Sequence, residues 1–297
     1  MGDRRGLEAW SWIFILEGIA TVVVGCISLF VLVDFPVTAS FLTPEERAYV
    51  LWKKKYDNSA VGEVEAFAWR YVWAAFTDWQ VWLHILTYFS TVVPLYGISL
   101  FLPSIISGFG FTTPITQLLT VPPYVFATIM LLVFGHYSDK LKIRSSFVIL
   151  GLIICLIGFA INISAAPRGV KYFGTFFCVA GSYTSFSGVV SWLGNNLAGQ
   201  YKRGAGMALH IGIGNFAGAI ASNIYRNQDE PRYILGHGLV LMFIGIGFIS
   251  VPLTTFIYTR INARRATELA KTGGVVQCSL EELHELGDRA PDFKYTL

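Results

Sequence analysis

The sequence predicts an all-α membrane protein with about seven transmembrane helices. Two observations carry that expectation: apolar residues gather into blocks long enough to cross a hydrocarbon core roughly 30 Å thick, and charge is scarce along the chain. Of 297 residues, 54% are hydrophobic and only 14% are charged, against roughly 25% charged in an ordinary soluble domain. Mean hydropathy is +0.55. A chain of this kind does not fold in water. Lipid offers backbone amides no partners, and the blocks lack the short alternation of barrel strands, so helices are the spanning form.

The first block, residues 13–32, follows a charged start. It is too long for the core of a cleavable signal peptide and has no small-residue cleavage site, so it is expected to remain as a span. Residues 34–78 form the longest polar stretch between blocks and read as a cytoplasmic linker. Within it, Thr43-Pro44-Glu45-Glu46 supplies an N-cap, a proline at the first helical position and a capping-box glutamate, which predicts a helix to about Lys55. Its Tyr49, Val50 and Trp52 are placed to rest on a membrane surface.

Six blocks follow, at 81–104, 116–137, 146–163, 172–193, 205–225 and 234–259. Pro94 and Pro103 are expected to kink the first of these. Ala208, Gly212, Gly214 and Gly218 give the fifth the small residues that permit close helix approach. Beyond the last block, 261–271 is helix-prone, whereas 288–297 looks like a loose end. The expected organisation is a single transmembrane helix (1–33), a cytoplasmic linker (34–78), a six-helix body (79–260) and a cytoplasmic tail (261–297). One span before a long linker and six after it resemble one six-helix half of the two-half plan of major facilitator transporters, with a single span ahead of it; that resemblance makes the first block the sixth span and the rest the C-terminal half.

Charge reports orientation. Arg47, Lys53, Lys54, Lys55, Arg70, Lys140, Lys142, Arg144, Lys202, Arg203 and the tail from Arg260 fall on one side of the blocks. Arg4, Arg5, Arg168, Lys171, Arg226 and Arg232 fall on the other. By the positive-inside rule the richer side is cytoplasmic, which puts the start outside and the tail inside. The net charge of +3 is small, and the basic residues form no stripe with stacking aromatics, so nucleic acid is not an expected partner. Cys26, Cys155, Cys178 and Cys278 have no metal-like spacing and read as free thiols; no metal or other cofactor is expected. Asn162-Ile-Ser164 matches a glycosylation acceptor but abuts a span, out of reach of the modifying enzyme.

Several residues are candidates for function. The loop Gly135-His-Tyr-Ser-Asp139-Lys140-Leu-Lys142-Ile-Arg144 sets a carboxylate and cations between two spans. In that reading Gly135 lets the span turn tightly, and Asp139 accepts hydrogen bonds from a helix end or an arginine, holding one conformation. Glu17 is the acidic residue inside a span, a candidate for proton or substrate coupling. Its place about 7.5 Å past Trp12 along a helix also suits a snorkelling interfacial acid. His210 shares a glycine-rich span with Asn215 and either titrates or bonds between helices; His84 lies beside the linker. Tyr88, Tyr96, Tyr183, Trp192 and Asn196 suggest a polar aromatic face on a substrate cavity, although such groups also glue helices together.

The loop order resembles the major facilitator signature in its second-half copy, with Lys142 where that family usually has glycine. The resemblance then narrows. Trp10-x-Trp12-Ile-Phe-Ile-Leu-Glu17-Gly18, Asp34-Phe-Pro36, Tyr96-Gly-Ile-Ser-Leu-Phe-Leu-Pro103, Pro122-Pro123-Tyr124, Trp192-x-x-x-Asn196-x-x-Gly199-x-x-Lys202-Arg203, Gly214-Asn215 and Pro231-Arg-Tyr233-x-x-Gly236 resemble the fungal anion:cation symporters, the allantoate permease family. That resemblance implies a plasma-membrane carrier of a small organic anion, such as allantoate, nicotinate or pantothenate, moving with a proton. It also implies about twelve spans, of which this chain matches from the sixth onward, so the chain reads as a truncated form or incomplete gene model, inactive without an N-terminal half. A seven-helix receptor is the competing class. The long linker and the charged loop speak against it, and the retinal-binding version needs a lysine in the last span, where 234–259 has none. A nontransporting fragment is the other alternative.

Overall fold

The computed structural model describes residues 9–33, 36–57, 67–229, 233–271 and 280–297. Every regular element among them is a helix. The chain divides into two compact units, Met1–Asn58 and Ser59–Leu297. Asp34, Phe35, Pro231, Arg232 and Cys278, like Arg4 and Arg5, lie outside the described residues.

The first unit holds α1 (Ala9–Val31) and α2 (Pro44–Asp57). Helix α1 is apolar apart from Glu17 and a few hydroxyl residues, and none of its stretch Phe14–Val31 is buried. Helix α2 starts where its cap predicts. Thr43 N donates to Glu46 Oε2 at 2.9 Å and Glu46 N to Thr43 Oγ1 at 3.3 Å, the reciprocal capping box. These bonds stabilise the ionised carboxyl and hold Glu46 below its ordinary pKa.

The second unit holds α3 (Trp69–Phe76), α4 (Trp79–Ser107), α5 (Thr113–Leu141), α6 (Ser145–Ile163), α7 (Arg168–Asn196), α8 (Gln200–Gly214), α9 (Phe216–Ile224), α10 (Ile234–Lys271) and α11 (Leu280–Leu286). Among the described residues seven candidate spans are long and apolar enough to cross a membrane, α1 among them, with α8 and α9 together making one. Each expected span is therefore present, most with ends shifted by a few residues and the last continuing to Lys271. The expected 205–225 span is interrupted at Asn215, where one turn residue separates α8 from α9. Pro94 and Pro103 sit inside an unbroken α4.

Lipid removes the hydrophobic drive that packs helices in water, so close backbone approach must supply dispersion contact instead. The tightest seam here joins α6 to α7. A Cβ on Gly158 would fall 2.5 Å from Cys178 N, and one on Gly181 would fall 2.4 Å from Cys155 N. Only glycine fits at those crossings. The stripe expected on the fifth block of the body is used in part: Gly214 and Gly218 back onto Tyr88 and Tyr96, whereas Gly212 has nothing within 4 Å. Asn162 lies in α6 and is 3% exposed, which keeps it from glycosylation.

The tail departs from expectation. Helix α10 continues to Lys271, and residues 287–297 fold back onto the bundle instead of hanging loose. Asn262 donates to Tyr295 O at 2.8 Å, and Arg265 donates to Phe293 O at 2.7 Å and Asp288 O at 2.8 Å. Polar groups on the extended helix thus satisfy a tail backbone that composition alone marks as unstructured.

Candidate functional site

Helix α5 runs through Gly135 to Leu141, and a Cβ at Gly135 would meet nothing within 4 Å. Gly135 therefore does not turn the chain, because the helix has two more turns to run before it ends. Lys142 makes the turn: its φ of 54° is left-handed, and its N–H bonds to Asp139 O at 3.3 Å. That geometry costs a residue with a side chain about 1–2 kcal/mol.

Asp139 accepts a hydrogen bond from the Arg144 guanidinium. Arg144 Nη1 also donates to Ser138 Oγ at 3.3 Å, and the Ser138 hydroxyl donates to Ile143 O at 2.9 Å. The carboxylate is 67% exposed and the guanidinium 15%, so the pair contributes on the order of 0–1 kcal/mol. A bond of that size can be exchanged during motion. Lys140 is exposed beside it, and Arg144 N–H donates to Leu297 O, so the tail closes on the same joint.

The expected cavity residues separate into two groups. Tyr183 OH lies 3.2 Å from Ser99 Oγ, and its ring meets the edge of Tyr124 at 5.9 Å; Tyr96, partly buried, rests on Gly218. Tyr88 instead is buried against His210, ring to ring at 4.6 Å. Neither ring nitrogen of His210 makes a hydrogen bond of regular geometry among the described residues. Trp192 and Asn196, expected on a cavity wall, are fully buried. Both hold the tail: Trp192 Nε1 donates to Thr296 O at 2.8 Å, and Asn196 bonds both Thr296 O at 3.0 Å and Thr296 N at 2.7 Å. Asn215 is exposed at the α8–α9 break. Glu17 lies in the first unit, exposed on α1.

Sequence reading missed the most buried charges. Lys202 Nζ lies 2.6 Å from both Asp78 Oδ2 and Asp288 Oδ1. Gln80 Nε2 donates to Asp288 Oδ2 at 2.9 Å, and Tyr258 OH donates to Gln80 Oε1 at 2.9 Å. His84 Nε2 lies 3.2 Å from the Tyr258 hydroxyl. That hydroxyl already donates to Gln80, so His84 is the donor there and carries its proton on Nε2. Tyr295 stacks on Tyr258 at 4.6 Å. Burial, reinforced by the Asp288 carboxylate, pushes the Tyr295 hydroxyl up to about 12. Asp78 also caps α4 through Gln80 N at 3.0 Å; that local cap was the one readable sign.

Seven apolar helices, six of them in or around one bundle with a charged joint, define a multi-pass integral membrane protein. The Major Facilitator Superfamily model matches residues 2–222, and the chain belongs to that family. An uncharacterised transporter of Schizosaccharomyces pombe is 32% identical over 98% of this chain and 57% of its own length. The high-affinity nicotinic acid transporter of Saccharomyces cerevisiae is 29% identical over 97% of this chain and 54% of its own. An MFS-type transporter of Penicillium expansum is 32% identical over 100% of this chain and 60% of its own. The chain thus spans about half the length of the curated relatives it matches. All three relatives are named as transporters.

Proposed function

We propose that the protein moves a small organic anion across the plasma membrane together with a proton, as part of a carrier of the allantoate permease type. The observation that carries this reading is the Asp139–Arg144 pair, which closes the α5–α6 joint with a weak, exchangeable bond. In this reading residues 79–260 are one rocking body and α1 belongs to the other, with the joint and tail on the cytoplasmic side. Alternating access needs two bodies around a midplane site. Tyr96 and Tyr183 face the anion, and Tyr88 packs behind them against His210. His210 and Glu17 are the proton-coupling groups. The nicotinic acid transporter among the relatives supports the choice of a carboxylate.

Uptake tests this directly. The chain is co-expressed with the first half of the Saccharomyces relative, and labelled nicotinate, pantothenate and allantoate are offered at several pH values. One of them is expected to enter faster at acid pH, and Asp139→Ala to slow it by up to about fivefold, equivalent to roughly 1 kcal/mol. An unchanged rate and pH dependence in Asp139→Ala would show that the joint gates nothing.

A further inference from the structure

At the end of the bundle opposite the joint, the last turns of α4 and α6 and the first turns of α5, α7 and α10 enclose a cavity of about 730 Å³. It lies far from the tyrosines assigned above: Ser104 on its wall is eight residues beyond Tyr96, about 12 Å along the helix. Cavities of this size hold ligands of small-molecule dimensions. Its described lining carries two cations, Arg168 and Lys171, and no carboxylate.

Two buried polar groups on that wall have an unfilled bond. Thr116 and Asn162 are each 3% exposed, yet Thr116 Oγ1 and Asn162 Oδ1 have no hydrogen-bond partner among the described residues. Buried polar groups are rarely left in that state unless something else completes them. The Asn162 amide is fixed in one sense, because Nδ2 donates to Gly158 O at 3.0 Å; Oδ1 is therefore left as an acceptor. Arg168 Nη1 donates to Phe109 O at 2.7 Å, which anchors the guanidinium at the rim. A guanidinium has five N–H donors, and among the described residues this bond engages one.

Anion donors and a lone acceptor in one cavity select a particular ligand. We propose that this cavity binds a small carboxylate that also carries an O–H or N–H group. Arg168 and the Thr116 hydroxyl hold the carboxylate, and Asn162 Oδ1 accepts from the second group. The inference rests on the reading of the protein as an anion carrier and adds to it a loading site, on the face away from the joint, with its own selectivity.

The test uses the full purified chain in nanodiscs, with labelled 3-hydroxybenzoate and benzoate as probes in equilibrium dialysis. Saturable binding is expected, with 3-hydroxybenzoate held about tenfold more tightly than benzoate. Arg168→Gln is expected to weaken both about tenfold, and Asn162→Leu to abolish the preference while leaving benzoate unchanged. Circular dichroism and gel filtration report whether each variant folds. If Asn162→Leu does not fold, Thr116→Val replaces it, with several-fold weaker binding of both probes expected.

Absence of saturable binding, indifference to Arg168→Gln, or a preference that survives Asn162→Leu would each overturn the site. So would displacement of the probes by phosphatidylglycerol in the nanodisc, lost in Arg168→Gln, since the cavity would then serve a lipid headgroup. Binding and uptake fail separately. Intact binding with no uptake in the co-expression assay sinks the carrier reading alone, and uptake unaffected by Arg168→Gln alongside absent binding sinks this site alone.

Discussion

Lys202 shows what one residue can hold. Its ammonium stands between two carboxylates, and its side chain is 9% exposed while those of Asp78 and Asp288 are 2% and 0%. Burying such a cluster does little for net stability, but removing one member leaves charge uncompensated in a dry site. Lys202→Met is therefore expected to destabilise the second unit by about 3–5 kcal/mol, read as a lower thermal midpoint in detergent, with Asp288→Asn milder. A melt equal to wild type in Lys202→Met would show the cluster to be solvated. None of this was legible beforehand, because Lys202 and Asp288 are 86 positions apart and Gln80 and Asp288 are 208 apart. The Thr43–Glu46 box was legible because its whole physics fits within four residues.

At the scale of elements, hydropathy located the spans well, since each helix must cross the same thickness of lipid whatever its neighbours are. It could not say which helices touch. The α6–α7 seam depends on Gly158 and Gly181 each meeting the backbone of a cysteine on the other helix, whereas the stripe noticed in sequence is only partly used. Gly181→Ala is expected to cost about 1–3 kcal/mol, the usual penalty of overpacking, and to loosen α6 from α7 as measured by faster hydrogen exchange in both. Unchanged exchange would mean the helices part without strain.

The docked tail is a second element with its own test. Tyr295 titrates near 10 when unfolded and about 12 when docked. A raised pKa favours the folded form below the lower value and loses that advantage as pH climbs toward the higher. The tail is thus expected to release between about pH 10 and 12, followed by tyrosinate absorbance and protease sensitivity of 287–297, and Tyr295→Phe should remove this step. Composition concealed the docking because the few apolar residues of the tail, Ala290, Phe293 and Tyr295, are buried only where Asn196, Trp192, Asn262 and Arg265 receive its backbone groups.

For the whole molecule, the reading as one rocking body makes a prediction about parts. The chain expressed by itself is expected to enter the membrane and show no anion uptake above background, and the co-expressed first half to restore it, since a midplane site needs walls from both bodies. Uptake by the chain alone would mean that a pair of copies, or this bundle by itself, suffices. The superfamily was readable from the order of residues in the charged loop between two spans, while the cavity opposite the joint was not, because Thr116, Asn162 and Arg168 come from three helices with no shared pattern.

The hydrogen bond from Arg144 N–H to Leu297 O also sets a schedule for biosynthesis. Arg144 leaves the ribosome about 150 residues ahead of its partner, roughly 8–30 s at ordinary elongation rates. During that interval α5 and α6 are inserted with their connecting turn unfinished, and Lys202, once made, has only Asp78 to neutralise it. A nascent bundle in this state presents an incomplete charged face to the insertion and quality-control machinery until residues 287–297 are made and dock.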